Sequence, residues 1–291
     1  MSDADPPKTF EELGLSESAL AAVEALGWTE PTPIQTLAIP AALEGKDIVG
    51  IAQTGTGKTG AFMLPSLDEI ESGGGLQVLI LCPTRELAQQ VAADTEALSK
   101  GTNIRVQAIY GGVKYGPQND ALAQGFEVIA ATPGRFIDHL ERGNAKLGNV
   151  RTLILDEADR MLDMGFRPQI ESVIRHMKGR RRTLLFSATM PNGVHDLALR
   201  LTNDPVWVEA TPSGTVARGI DEIVYPVKPG KKPDLLVHLL GDPDWDQVLV
   251  FTRTKAAADV LQTRLERQGI STAVMHSDRG MGERTRALSR F

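Results

Sequence analysis

The run Ala52-Gln53-Thr54-Gly55-Thr56-Gly57-Lys58-Thr59 constrains what this chain can fold into more than any other stretch of it. It follows an apolar segment that reads as a strand and opens a segment that reads as a helix. Gly55 and Gly57 let the backbone curl until successive N–H groups face one point, and the helix start adds the positive end of its dipole. Lys58 is then placed to neutralise β- and γ-phosphate oxygens, and Thr59 to offer a hydroxyl to Mg²⁺. The run reads as a cradle for nucleotide phosphates. Its departure from the strict pattern is Ala52, which stands where a glycine is usual, five positions before Gly57. The bland alternative is a glycine-rich turn between a strand and a helix.

A cradle of this kind needs a parallel sheet behind it, and the rest of the chain supplies one. Short aliphatic runs alternate with amphipathic stretches, the pattern of parallel strands joined by helical crossovers. Strands are expected at 47–52, 77–82, 104–110, 127–131, 152–155, 183–187 and 206–210, with helices between them, for example at 84–98 and 168–176. The fold class is α/β, a doubly wound parallel sheet. Residues 211–220 are rich in Pro, Gly, Ser and Thr and read as a linker between a first domain, 1–210, and a second unit, 221–291. Three strand–helix pairs are expected in that unit: 222–227 with 234–240, 248–252 with 255–267, and 272–276 with 283–291.

The second anchor is Leu153-Ile154-Leu155 running into Asp156-Glu157-Ala158-Asp159. A carboxylate at the C-terminal tip of such a strand faces the ligand crevice. Asp156 is therefore assigned to hold Mg²⁺ and Glu157 to orient and deprotonate an attacking water. Ser187-Ala188-Thr189 follows the next strand; alone it would be a helix cap, but its position after the acidic motif gives it a part in the site.

These runs together resemble the first RecA-like domain of the DEAD-box RNA helicases. The resemblance rests on an ordered series: Phe10, Gly27-Trp28, Pro31-Thr32-Pro33-Ile34-Gln35, Ala52 to Thr59, Pro83-Thr84-Arg85-Glu86-Leu87-Ala88, Gly111-Gly112, Thr132-Pro133-Gly134-Arg135, Asp156 to Asp159, and Ser187 to Thr189. It implies an ATP site made by Gln53, Thr54, Gly55, Thr56, Gly57, Lys58 and Thr59, with Phe10 stacking on the adenine and Gln35 reading its edge. Phe10 as the first core residue of a helix, and Gln35 as a capping amide, are the structural alternatives. Asp159, Ser187 and Thr189 would couple the nucleotide site to the nucleic acid. Pro83, Thr84, Arg85, Gly111, Gly112, Thr132, Pro133, Gly134 and Arg135 would line a phosphodiester track that grips RNA backbone with low sequence specificity. For Arg85 and Arg135 the alternative is an ordinary surface ion pair.

In the second unit Val248 to Lys255 resembles the family's fourth motif and His276 to Arg284 the element after it. Met281 stands there for a usual glutamine and Ser277 for a usual glycine, while Arg284 is retained as an RNA-binding candidate. Ala217-Arg218-Gly219-Ile220-Asp221 imitates a later RNA-binding motif but lies in the linker, and is set aside as coincidence. The implied activity is an RNA-stimulated ATPase and helicase with cofactors ATP and Mg²⁺. A stretch that ends before the arginine-rich motif is expected to turn over slowly alone and not to unwind a duplex. A catalytically incomplete ATP- and RNA-binding regulator, and a superfamily-2 translocase acting on DNA, are the competing classes. Asp156 to Asp159 and Gln35 favour RNA.

The remaining features bound the setting. Cys82, the only cysteine, falls in an apolar run and reads as a buried strand thiol, in keeping with a reducing cytoplasm. No apolar run reaches the length of a membrane span. A net charge of -6 argues against a broadly basic coat, though not against a local phosphate track. The five histidines show no paired ligand spacing, so no structural metal is expected. The protein is expected to act as a cytoplasmic monomer.

Overall fold

Val78–Leu81 (β2), Val128–Ala131 (β4), Thr152–Leu155 (β5) and Arg182–Ser187 (β6) bury every residue they contain. Such continuous burial is what helices on both faces of a parallel sheet impose. In this computed structural model, residues 9–177, 179, 181–210, 221–243 and 245–291 are described, without the side chain of Met281. Three further strands, Ile48–Ile51 (β1), Val106–Ile109 (β3) and Val206–Glu209 (β7), complete a sheet of order β3-β4-β2-β5-β6-β1-β7. Every pairing is parallel. The edge strands β3 and β7 are the least buried.

Alternation along the strands builds two cores. Ile48, Ile80, Ile154, Leu184 and Phe186 face one helical layer, while Val49, Leu79, Leu81, Leu153 and Leu185 face the other. Each such side chain removed from water contributes about 1.5–3 kcal/mol. The first layer comprises Glu17–Ala25 (α1), Pro33–Leu43 (α2), Lys58–Leu67 (α3) and Arg85–Leu98 (α4). Pro133–Glu141 (α6), Ala158–Asp163 (α7), Arg167–His176 (α8) and Asn192–Leu201 (α9) cover the opposite face. Tyr115–Gln124 (α5) follows β3. Gly50 is fixed by packing: a Cβ there would lie 2.6 Å from the Phe186 ring on the neighbouring strand.

The doubly wound α/β fold is as expected, with strand ends moved by one or two residues. Cys82 is fully buried after β2, and burial pushes its thiol well up, so it stays protonated. Among the described residues no helix is long and apolar enough to cross a membrane.

The chain divides into two compact units, Met1–Val216 and Ala217–Phe291. The proposed linker 211–220, with most of the set-aside run 217–221, lies outside the described residues. In the second unit the helices form, at Lys232–Leu239 (α10), Lys255–Arg267 (α11) and Met281–Arg290 (α12). The three expected strands do not: 222–227, 248–252 and 272–276 make no ladder. Helix hydrogen bonds close within one segment, whereas a parallel strand needs neighbours and cover on both faces. Here that cover is missing, for Val224 is 90% and Phe251 89% exposed.

Candidate nucleotide and nucleic-acid site

Because every strand is parallel, all strand-to-helix turns emerge on one edge of the sheet, the edge where α/β proteins place their ligands. The strand order then sorts the motifs. The turns after β5, β6 and β1 carry Asp156–Asp159, Ser187–Thr189 and Gln53–Thr59; those after β3, β4 and β2 carry Gly111–Gly112, Thr132–Arg135 and Pro83–Arg85. The two groups occupy adjacent halves of the edge and meet where β2 lies beside β5.

In the first half, Gly55 (φ 82°) and Gly57 (φ 86°) take the left-handed backbone that curls the loop, and Gly57 caps α3. Ala52 needs no such freedom. It is buried, and its N–H donates to Ser187 O at 3.0 Å, so the position is the end of β1 rather than part of the curl. Thr56 Oγ1 donates to Gln53 O at 2.7 Å and tightens the loop. Lys58 Nζ lies 3.1 Å from Asp156 Oδ1, with both side chains about 5% exposed. Among the described residues no acceptor of good geometry meets its N–H groups, so the contact is one of charge and the donors remain available to other oxygens. Burial pushes the Asp156 carboxyl up, and the Lys58 ammonium opposes that rise.

Glu157 takes a left-handed backbone (φ 55°) as the N-cap of α7, a conformation costly for a residue with a Cβ. Two contacts hold it: Thr54 Oγ1 donates to its Oε1 at 2.7 Å, and Arg160 Nη1 to its Oε2 at 3.2 Å. Sequence reasoning missed Arg160 as a partner, although its spacing of three residues along a helix was legible. It also missed Asp94 on α4, whose carboxyl burial pushes up while the nearby Thr59 side chain opposes that rise.

The expected coupling group is assembled. Thr189 donates to Asp159 Oδ2 through both its N–H (2.9 Å) and its hydroxyl (2.7 Å), and Asp159 N–H donates to Ser187 Oγ at 3.1 Å. Burial alone would raise the Asp159 carboxyl, but the bonds from Thr189 and from Arg160 N–H outweigh it and hold the group below the usual carboxylate range. A depressed folded value means stability present at neutral pH and lost as pH falls below that range through the depressed value. Thermal unfolding followed against pH should show this loss, and Asp159→Asn should remove it; an unaltered profile in the variant would count against the clamp.

At the base end one assignment needs correction, and the other residue is placed by its packing. Phe10 is 3% exposed, belongs to the core, and stacks on Trp28 at 6.2 Å between centroids, so its ring has no free face for adenine. Gln35 is also buried: its Oε1 accepts from Thr32 N–H (2.9 Å) and its Nε2 donates to Gly57 O (3.1 Å). It ties the cap of α2 to the phosphate loop with one oxygen lone pair and one amide hydrogen. The same packing explains Gly57 and Gly60, where a Cβ would come within 2.8 Å of the Gln35 amide. Trp28, half-buried against Gly60, had no assigned role in the sequence reading.

In the second half, Thr84 caps α4 with its hydroxyl, which accepts from Leu87 N–H at 3.2 Å, and Pro83 is buried. The Arg85 guanidinium lies against Gly112 (φ 81°), in space that a Cβ would fill. Thr132 and Pro133 start α6 and are buried, while Gly134 is half-buried. Arg135 is corrected: only 9% exposed, it donates to Gln118 Oε1 (2.9 Å) and Val113 O (3.0 Å). It is neither a surface ion pair nor an exposed phosphate ligand. Arg284 lies on α12 in the other unit and is half-buried there.

Sheet order, phosphate loop and paired acids at one edge define a RecA-like nucleotide-binding domain. Residues 32–197 match the DEAD/DEAH box helicase family, and the chain belongs to it. It is 40% identical to the DEAD-box ATP-dependent RNA helicase CshA of Geobacillus kaustophilus over 97% of this chain and 61% of that one. It is likewise 40% identical to DEAD-box ATP-dependent RNA helicase 20 of Arabidopsis thaliana, over 98% and 59%. The chain thus spans about three fifths of the length of these curated relatives. Among solved structures it resembles S. cerevisiae Dbp5 bound to RNA and ADP BeF3 (TM-score 0.88, 30% identity, 98% of this chain and 73% of that one). A DEAD box protein from Methanococcus jannaschii is similar too (TM-score 0.68, 35% identity, 98% and 77%).

Proposed function

We propose that the chain carries the nucleotide and RNA sites of an ATP-dependent RNA helicase that hydrolyses ATP and remodels short RNA duplexes. The observation that carries this reading is the buried Lys58 ammonium, which faces Asp156 with its hydrogen-bond donors unmet, at the mouth of a loop curled by two left-handed glycines. An ammonium so placed suits phosphate oxygens.

The oxygen donors suit Mg²⁺. Thr59 and Asp156 would hold it; among the described residues no cluster of three His, Cys, Asp or Glu side chains is built to hold a metal alone. That matches the habit of Mg²⁺ to bind through one or two protein oxygens together with substrate phosphates. When bound, it supplies positive charge to those phosphates. Lys58 neutralises β/γ oxygens, the curled amides of 53–57 orient the phosphates, and Glu157 positions a water in line and takes its proton. Thr84, Arg85, Gly111, Gly112, Thr132, Pro133 and Gly134 grip RNA backbone, while Arg135 shapes that surface from behind, and Arg284 adds a contact from the second unit. Asp159, Ser187 and Thr189 link the two halves. The yeast relative's structure holds RNA with a nucleotide analogue, which fits both halves being used together. The working form is a cytoplasmic monomer.

Backbone recognition releases counterions, so RNA binding should vary little with base sequence and fall steeply with added salt. ATP hydrolysis measured with and without RNA, and fluorescence anisotropy of several RNAs across a salt series, test this. A strong preference for one sequence at fixed salt would contradict the backbone track, and hydrolysis indifferent to RNA would contradict the coupled ATPase.

A further inference from the structure

Beyond the ends of β3 and β4 the sheet no longer sets the relative position of the two segments assigned to RNA backbone. The last ladder bond between them runs from Thr132 N–H to Ile109 O, at 2.9 Å. Past it, the glycine turn 111–112 and the start of α6 are joined through side chains, and three of these had no assigned role.

Gln118 on α5 is the hub. It is buried; its Nε2 donates to Tyr110 O (3.0 Å), fixing the residue just before the glycine turn. Its Oε1 accepts from Arg135 Nη1 on α6 at 2.9 Å and lies 3.1 Å from His139 Nε2. An amide oxygen only accepts, so His139 Nε2 carries a proton. On the other side of the ring Asn144 Nδ2, an amide donor, lies 3.4 Å from Nδ1, which therefore presents its lone pair. His139, fully buried, is thus the neutral Nε2–H tautomer. Burial and the neighbouring Arg135 and Arg142 guanidiniums hold its pKa down, against the opposing carboxylate of Asp138. Tyr115 completes the group. Its ring centroid is 4.1 Å from the Arg135 guanidinium carbon and 4.3 Å from that of Arg142, within cation–π range. Its hydroxyl donates to Asp138 Oδ2 at 2.7 Å, and His139 meets its ring at 5.5 Å with an edge-on tilt.

We infer that Tyr115, Gln118 and His139 are positioning residues that hold the Gly111–Gly112 turn in register with the start of α6, so that RNA affinity depends on them while ATP affinity does not. The inference rests on the proposed function, since it assigns a task to the same RNA track. It follows from geometry: Arg135 cannot reach a phosphate from its buried place, but it ties Val113, just past the glycine turn, and Gln118 to the helix that opens with Thr132, Pro133 and Gly134. Loosening the hub lets the two halves of the track drift apart, and the phosphate loop, on the far side of β2 and β5, is not part of the network.

The test uses the whole chain, a single-stranded oligouridylate at low salt, and Mg·ATP. Gln118→Ala strands the buried donors of Arg135 and His139 and should weaken oligouridylate binding about fivefold or more. Mg·ATP affinity should be unchanged. Tyr115→Phe keeps the ring between the guanidiniums and should retain most of the affinity, whereas Tyr115→Leu should lose it; this pair carries the test if Gln118→Ala does not fold. Nitrogen-15 spectra of the wild-type His139 ring at neutral pH should show the Nε2–H tautomer, and a charged ring or the Nδ1–H form would overturn the network. Equal RNA affinity in wild type, Gln118→Ala and Tyr115→Leu would overturn the inference alone. A wild-type chain with no RNA affinity would remove the proposed function and this inference with it.

Discussion

Lys58→Ala is expected to lower Mg·ATP affinity by about 10²-fold or more, since each charge-assisted hydrogen bond lost is worth about 1.5–3 kcal/mol and an ammonium in a phosphate loop makes more than one. The effect has a second source inside the protein. Lys58 and Asp156 are buried together at 3.1 Å, and the ammonium is what opposes the rise of the Asp156 carboxyl. Removing one member of a buried pair leaves the other uncompensated, at a cost of about 3–5 kcal/mol. The carboxyl answers by rising further and taking a proton, which withdraws the oxygen assigned to Mg²⁺. The sign follows: with the folded value above the unfolded one, folding stability falls as pH rises from the ordinary carboxylate range through the raised value. Lys58→Ala should widen that window. Isothermal titration with Mg·ATP, beside unfolding measured at several pH values, checks both parts. Undiminished binding would defeat the phosphate-cradle reading outright.

What the sequence made legible, and what it hid, divides along a physical line. Features closed within a few residues read correctly: the curl at Gly55 and Gly57, the helix over 84–98, the acids at the tip of β5, and the helices of the second unit. The parallel sheet read correctly because strands covered on both faces leave unbroken aliphatic runs such as Leu153 to Leu155. What depended on the direction of one side chain did not. Arg135 was assigned to the RNA backbone and turns inward, because Tyr115, Gln118 and the Val113 carbonyl, 17 to 22 residues away along the chain, offer it a better place. Phe10 was assigned to the base, yet Trp28 takes the ring, and the bonds of Gln35 to Thr32 and Gly57 were not foreseen. In each case motif membership was visible and the partner was not. The unformed strands of the second unit are the same lesson at larger scale: Leu249 to Phe251 has every local mark of a strand, but pairing is decided by residues that are not its neighbours in sequence.

Glu157→Gln is the complementary change, and it should separate binding from chemistry. Glutamine keeps the size and planarity of glutamate, so an oxygen can still accept from the Thr54 hydroxyl that now holds Oε1 at 2.7 Å. The left-handed N-cap at φ 55° is unaffected, because the substitution does not alter the backbone or the Cβ. The ion pair with Arg160 is lost, but that guanidinium is 56% exposed, and such a pair contributes little. What disappears is the base. A positioned general base is worth about 10²–10⁴-fold, so single-turnover hydrolysis should fall by that factor while Mg·ATP affinity stays within a few-fold of wild type. The two acids are thereby told apart: Asp156 is bound to Lys58 and its loss should register in binding, whereas Glu157 touches the phosphate loop only through Thr54 and its loss should register in turnover. If Glu157→Gln weakened ATP binding as much as it slowed hydrolysis, the residue would be a structural clamp on Thr54, and the water-activating role would have to pass to another group at the same edge.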